Sequence, residues 1–198
     1  VSPLVTTIYT VVGANANCTD TKTVQLIVNP LPTVTAVSNP TAICIGSTAT
    51  LSGGGAVTFT WSPGILVGTS VTVSPVATTV YTVTGTSAFG CTSTKTVQLI
   101  VNPLPTVTAV ANPTGICQGS GGSSTLSASG ASTYVWNPGA LPGATVVVTP
   151  VVTTQYTVTG TSRLGCTSTR TVTVQIIPNP TVTATATPVV ICAGNSST

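Results

Sequence analysis

The residues of this chain best able to do chemistry are six cysteines, and their neighbours sort them into two classes. Cys44, Cys117 and Cys192 each stand in an Ile-Cys-x-Gly step, whereas Cys18, Cys91 and Cys166 are each followed by Thr. Thiols bind metals, attack electrophiles or pair with one another. A zinc site is not expected, because no CxxC and no His accompanies them. Regularly spaced cysteines in a Thr-rich, acid-poor chain point instead to disulfides made in an oxidising compartment. General acid–base work needs a tuned carboxylate, imidazole or amine. Asp20 is the sole acid, and Ser93 and Ser168 stand at its equivalents, so it reads as a solvated Asp near a turn. Calcium sites need several oxygen ligands, usually carboxylates. No catalytic residue, metal or cofactor is expected.

The cysteines hang on a repeat. Residues Thr21–Val37, TKTVQLIVNPLPTVTAV, recur letter for letter as Thr94–Val110, and a looser copy runs from Arg170 to Ala186. Each copy is a strand, a Pro-containing joint and the next strand, which is the signature of a tandem array with a unit of about 75 residues. The joints fall at Pro30 and Pro32, Pro103 and Pro105, and Pro178 and Pro180. They divide the chain into the C-terminal part of one repeat (1–30), complete repeats over 31–103 and 104–178, and the N-terminal part of another (179–198). The chain reads as a window from a longer mature protein.

Charged residues make up 3% of the 198, against about 25% in ordinary domains. The only bases are Lys22, Lys95, Arg163 and Arg170, and a scattered net charge of +3 is no footprint for nucleic acid. Apolar runs such as Leu26–Val28 and Val146–Val148 fall far short of the roughly 20 residues of a spanning helix, so no membrane span is expected in this window. Thr is roughly a fifth of the chain, far above ordinary usage. Thr and Val, both branched at Cβ, fit a pleated surface, and the reading is all-β.

In the repeat 31–103, alternation predicts strands at Thr33–Val37 and Thr41–Ile45, broken by Asn39-Pro40, then at Thr48–Leu51. Gly53-Gly54-Gly55 reads as a loop. Val57–Trp61 follows, with Val57, Phe59 and Trp61 on one face. Val71–Val73, Thr79–Thr84 and Thr94–Val101 complete the set, the last with Val97, Leu99 and Val101 inward. Short strands with frequent turns read as a β-sandwich, and two marks make it immunoglobulin-like. Trp61 and Trp136 sit on the strand that would face the core. Tyr9, Tyr81 and Tyr156 open the next-to-last strand in Thr-Thr-x-Tyr-Thr-Val, where each is either a tyrosine corner tying a turn or a plain core aromatic.

The order Ile-Cys-x-Gly (43–46, 116–119, 191–194), Trp-Ser/Asn-Pro-Gly, Val-x-Pro, Thr-Thr-x-Tyr-Thr-Val and Gly-Cys-Thr-Ser-Thr resembles the Ig-like or PKD-like repeats of giant surface proteins of the Bacteroidetes, among them gliding and attachment adhesins exported by the type IX system. The resemblance covers essentially the whole window. It implies tandem immunoglobulin-like β-sandwich repeats and an extracellular, cell-surface location. Such repeats are mostly spacers and filament shafts.

Three cysteine pairings stay open. Cys44–Cys91 and Cys117–Cys166 lie within single repeats. The even spacing of Cys18–Cys44, Cys91–Cys117 and Cys166–Cys192 needs the joint to fold back, whereas Pro-x-Pro favours extension. A head-to-tail array would bring the first turn of one repeat to the last turn of the next, allowing Cys44–Cys166 and sending Cys18, Cys117 and Cys192 to repeats beyond the window. Topology favours the third, because the two turns of one repeat lie a strand length apart, roughly 33 Å, and a disulfide needs Cα atoms within about 7 Å.

The expectation is a structural shaft or filament segment of an adhesin, non-enzymatic, whose partners are neighbouring repeats of its own chain and other copies in a filament. The alternative is a glycan- or surface-binding module of a secreted multidomain protein, with Thr ladders presenting hydroxyls to ice or glycans. A spacer on a secreted hydrolase is a third reading. Phe89 and Leu164, at turn tips, are candidate contacts for a partner. Asn17-Cys18-Thr19 and Asn195-Ser196-Ser197 match the N-glycosylation pattern, which usually means nothing in a bacterial protein.

Overall fold

A computed structural model describes residues 1–187 and 189–196. The chain divides into two compact units, Val1–Leu104 and the residues from Pro105 onward. No described residue is helical.

The first unit opens with an antiparallel ribbon of β1 (Thr7–Ala14) and β2 (Thr19–Leu26). A sandwich follows, built from β3 (Thr35–Asn39), β4 (Ala42–Cys44), β5 (Ala49–Gly54), β6 (Thr58–Ser62), β7 (Leu66–Val67), β8 (Ser70–Val73), β9 (Thr79–Thr86) and β10 (Thr92–Asn102). One sheet has the order β3-β5-β8 and the other β4-β10-β9-β6-β7. All pairings are antiparallel except β4 on β10, which is parallel.

The second unit repeats this plan with β11 (Thr108–Asn112), β12 (Gly115–Cys117), β13 (Ser124–Ser129), β14 (Thr133–Asn137), β15 (Leu141–Pro142), β16 (Thr145–Val148), β17 (Thr154–Thr161) and β18 (Thr167–Ile177). Its sheets run β11-β13-β16 and β12-β18-β17-β14-β15. Pro30, Pro32, Pro103 and Pro105 lie between strands, whereas Pro178 and Pro180 follow the last one; Pro32 and Pro105 are half-buried and the others exposed.

Period-2 alternation builds each core. Phe59, Trp61, Tyr81, Val83 and Leu99 point from the larger sheet onto Leu51 and Val73 of the smaller. Tyr134, Trp136, Tyr156, Val158 and Val174 do the same against Leu126 and Val148. Val97 and Val101 pack at the margin of the first core, on the same face of β10 as Leu99. At buried glycines the packing needs the missing side chain. A Cβ on Gly85 would lie 2.6 Å from Val34 Cγ2 and 2.7 Å from Ala56 Cβ.

Several expectations need correcting. Gly53 and Gly54 belong to β5 rather than to a loop, since the ring of Phe59 fills the space a Cβ on Gly53 would take, 2.8 Å from Phe59 Cδ1. Only Gly55 turns, at φ +85°, where a Cβ would meet the Thr33 carbonyl at 1.8 Å. Val57 is 65% exposed, because the sheet begins at Thr58 and Val34 and Ala56 pack that end of the core. The two-residue strands β7 and β15 were too short for any periodicity to show. Past β18 no described residue is in a strand. Tyr9 is half-buried on the β1–β2 ribbon.

Candidate functional site

The two cysteine classes occupy two kinds of turn. Cys44 ends β4 and opens a β-turn in which Ser47 donates its N–H to the Cys44 carbonyl at 3.0 Å. Gly46 supplies the positive φ, +88°, that the third position of such a turn requires. Ser120 on Cys117 (3.2 Å) and Asn195 on Cys192 (3.0 Å) repeat the arrangement. The Cys44 turn is fastened to the end of β10, where Ile45 N–H donates to Asn102 O at 3.1 Å. Gln118 does the same to Ile177 O at 2.8 Å.

The other class sits at the hairpin joining the last two strands of each sheet. Ser87 N–H donates to Cys91 O at 2.9 Å, and Cys91 N–H returns to Ser87 Oγ at 3.2 Å. Ser162 holds Cys166 alike, at 2.8 and 3.2 Å. Asn15 takes the role for Cys18, its Oδ1 accepting the Cys18 N–H at 2.9 Å. Phe89 and Leu164, at the tips, are 70% and 64% exposed.

Cys44 lies opposite Asn102 at one end of β10, and Cys91 immediately precedes Thr92 at the other. The strand's 11 residues separate them by about 33 Å, beyond the reach of a disulfide. Cys44 and Cys166 are both disulfide-bonded. Cys18, Cys91, Cys117 and Cys192 are free thiols. Neither within-repeat pair and none of the evenly spaced pairs is therefore formed, and one cysteine of each class carries a bond. The Cys91 thiol points to the Asn29 carbonyl, with Sγ 3.8 Å from the oxygen.

The Thr-Thr-x-Tyr motif works through its threonines. Thr78 Oγ1 accepts the Val101 N–H at 3.0 Å, and Thr79 Oγ1 donates to Ala77 O at 2.7 Å. Thr153 and Thr154 repeat this on Ile176 and Val152, and Thr6 and Thr7 on Val28 and Val5. The pair latches the turn before β9 to the last strand, which is the job foreseen for a tyrosine corner. Tyr81 and Tyr156 are core rings, 5% and 6% exposed, and burial raises the pKa of each above 10.0. Among the described residues neither hydroxyl makes a hydrogen bond. The tyrosine that does bind backbone is Tyr134, whose hydroxyl donates to Ala131 O at 2.9 Å and accepts Ala131 N–H at 2.6 Å. Trp61 Nε1–H donates to Gly68 O at 3.0 Å and Trp136 Nε1–H to Gly143 O at 3.1 Å.

Asp20 lies in β2, 3.7 Å from Lys22 with both side chains largely in solvent, a pair worth little. No cluster of three or more metal-ligating side chains occurs among the described residues, and no helix there is long and apolar enough to cross a membrane. Asn17-Cys18-Thr19 lies exposed at the first hairpin; Ser197 of the second triplet lies outside the described residues.

The outer face of the larger sheet is a hydroxyl grid. Register aligns Thr58, Thr86 and Thr92 in one row and Thr60, Thr84 and Thr94 in the next. Among the described residues none of these six hydroxyls makes an internal hydrogen bond.

No protein-family model and no curated protein matches the chain. Solved structures do. A Ca2+-stabilised adhesin with which an Antarctic bacterium binds ice is 16% identical with a TM-score of 0.44, over 89% of this chain and 57% of that one. A 1.5-MDa bacterial ice-binding adhesin is 14% identical with a TM-score of 0.38, over 76% and 66%. The first eight Ig domains of the Down syndrome cell adhesion molecule are 13% identical with a TM-score of 0.29, over 87% and 31%. The two-sheet order of each unit is immunoglobulin-like in its own right. The chain spans under two thirds of the length of each of these three.

Proposed function

We propose that this chain is a non-enzymatic shaft segment of an extracellular adhesin, in which sandwich repeats are cross-linked through their cysteine turns. The observation that carries the reading is that Cys44 and Cys166, one from each class of turn, are the disulfide-bonded cysteines. Their bonded state supports an oxidising, extracellular setting. Pairing Cys44 with Cys166 would remove the chain between them from the length that force can release.

Single-molecule pulling on the full chain tests this. The oxidised chain is expected to yield a shorter total extension than the reduced one, by the contour of the residues between Cys44 and Cys166. Equal extensions in the two states overturn the staple.

A second reading, docking onto a hydroxylated surface, is favoured by the threonine grid on the larger sheet. A glycan array decides: binding that is lost in Thr84→Val/Thr94→Val supports it, and silence supports the shaft.

A further inference from the structure

The larger sheet of each sandwich keeps a long edge with no strand beside it among the described residues. Asn39-Pro40 ends β3, which pairs with β5 in the smaller sheet, so only β4 reaches β10, and it covers Ile100, Val101 and Asn102 alone. The rest of β10 has β9 on one side and an open side opposite. Main-chain groups turn alternately to the two sides of such a strand. Val101 N–H turns toward β9, to Thr78 Oγ1 at 3.0 Å, and Ile100 N–H turns toward β4, to Thr41 O at 3.1 Å. The N–H and C=O groups of Thr92, Thr94, Thr96 and Gln98 therefore aim at the open side, and all four residues are exposed.

The second unit repeats the arrangement. β12 covers only Gln175, Ile176 and Ile177 of β18. Ile176 N–H goes to Thr153 Oγ1 at 2.9 Å and Gln175 N–H to Thr114 O at 2.8 Å, on opposite sides. Thr167, Thr169, Thr171 and Thr173 thus hold the positions of Thr92, Thr94, Thr96 and Gln98. The far edge of each large sheet is blunt, with two residues in β7 and two in β15, the second of them Pro142. β10 and β18 are edges of another kind, long enough to template a strand.

One charge marks each edge. Lys95 is the middle residue of 92–98, and Arg170 is the middle residue of 167–173. Both are exposed, on the sheet face that carries Leu99 and Val174. Neither has an ion pair among the described residues. In β2 the same position is Lys22, with the Asp20 carboxylate 3.7 Å away, and Ser93 and Ser168 replace that acid in the complete repeats. Two such edges laid together in full overlap, parallel or antiparallel, would set Lys95 against Lys95 or against Arg170. Like charges directly opposite destabilise a strand pair. The base therefore turns away a second copy and admits a carboxylate, which is selection built on repulsion as well as attraction.

We propose that β10 and β18 are docking edges for an extended segment of another protein that carries an aspartate or glutamate and adds as a further strand of the large sheet. The segment's main chain closes the open groups of residues 92–98 or 167–173, and its carboxylate sits opposite Lys95 or Arg170. Main-chain bonds supply the affinity of such an added strand, and side chains supply its specificity. The segment's other side chains are small or β-branched, to pair with Ser93 and Val97 on one face and Thr94 and Thr96 on the other. Each edge lies within a complete repeat and needs no neighbouring one. The inference goes beyond the shaft reading and stands without the Cys44–Cys166 pairing.

The probe is the capped peptide Thr-Val-Thr-Glu-Thr-Val-Thr, added to the full chain, with the same peptide carrying Lys in place of Glu as its counterpart. Amide hydrogen exchange reads the edges residue by residue. The Glu peptide is expected to slow the amides of Thr94, Thr96 and Gln98 and of Thr169, Thr171 and Thr173. The Lys95 and Arg170 amides, which face β9 and β17, are the internal references. The Lys peptide is expected to bind about fivefold more weakly, the equivalent of about 1 kcal/mol for one cross-strand charge pair. Lys95→Thr should remove that preference at β10 and leave it at β18. No slowing by either peptide, equal slowing by both, or a preference kept at β10 in Lys95→Thr each overturn the proposal. Edge amides that slow with rising chain concentration and no peptide would make a second copy the occupant, and overturn it too. Aggregation of Lys95→Thr without peptide binding by the parent chain would make the base a guard against aggregation alone, with the same result.

Discussion

Val101 gives its backbone N–H to Thr78 Oγ1 at 3.0 Å, and this one bond ties the turn before β9 to the far end of β10. No main-chain carbonyl takes that N–H, so the hydroxyl satisfies a donor the sheet leaves over. Thr78→Val keeps the shape and removes the acceptor. A net loss of about 1 kcal/mol is expected, the worth of a typical intramolecular hydrogen bond. Thr153→Val should cost the same in the second unit, because Thr153 holds Ile176 N–H at 2.9 Å. Urea unfolding of the two variants checks both; a loss below about 0.3 kcal/mol in each would show that water replaces the latch.

Gly85 and Gly160 occupy matching positions on β9 and β17, and neither has a positive φ. Their constraint is space. A Cβ on Gly160 would lie 2.5 Å from Val107 Cγ2 and 2.8 Å from Ala131 Cβ, both short side chains that cannot swing aside. Gly85→Ala and Gly160→Ala are each expected to destabilise by about 1–3 kcal/mol, the usual cost of overpacking. Gly13→Ala is the control, since nothing lies within 4 Å of its Cβ position. Thermal midpoints of the three variants test the contrast.

Much of the sandwich was legible because its strands alternate. Phe59 and Trp61 on β6, and Val97, Leu99 and Val101 on β10, carry period 2 in their own letters. Gly53 and Gly54 misled for a physical reason: a run of glycines has the composition of a loop, and only the Phe59 ring shows why a strand needs them. The cysteine classes were visible in their flanking residues, but which members are bonded depends on the distance between turns. The paired threonines were hidden in plain view. Their hydroxyls look like solvent-facing strand threonines until Val101 and Ile176 are seen without another partner.

Tyr81 and Tyr156 set the alkaline limit of stability. Burial disfavours the phenolate, so each folded pKa stands above 10.0. The unfolded chain then releases its phenolic protons first, and stability is full below pH 10.0 and is lost as pH climbs from there through the folded pKa. The chain has no His and one Asp, so few groups titrate between about pH 6 and 8. The urea midpoint is expected to hold level from about pH 6 to 8 and to fall above about pH 10. Tyr81→Phe/Tyr156→Phe should flatten the alkaline fall; a fall of unchanged steepness in that variant would assign it elsewhere.

The bonded cysteines make a prediction about additivity. If Cys44 and Cys166 share one bond, Cys44→Ser and Cys166→Ser remove the same constraint. Each is expected to cost about 2–4 kcal/mol, the usual worth of a disulfide. The double variant should cost no more than either alone, which is the mark of a single shared interaction. Unfolding midpoints with and without reductant measure this, and reductant should leave all three variants unchanged. Additive losses would mean two separate bonds.

The two repeats differ at one core position in a way that predicts a gain. Phe59 and Tyr134 stand at the same place on β6 and β14, and the Tyr134 hydroxyl both donates to and accepts from the backbone of Ala131. Ala56 is the counterpart of Ala131, following Gly55 as Ala131 follows Gly130, and both glycines hold a positive φ, +85° and +91°. The backbone that receives the hydroxyl is thus already in place in the first repeat. Phe59→Tyr is expected to raise stability by about 0.5–1.5 kcal/mol, and Tyr134→Phe to lower it by a similar amount while leaving the Ala131 amide without its partner. Hydrogen exchange at Ala56 gives the second readout. Its amide should slow in Phe59→Tyr and the Ala131 amide should quicken in Tyr134→Phe, whereas a change in ring packing alone would alter stability and leave both amides exchanging as before.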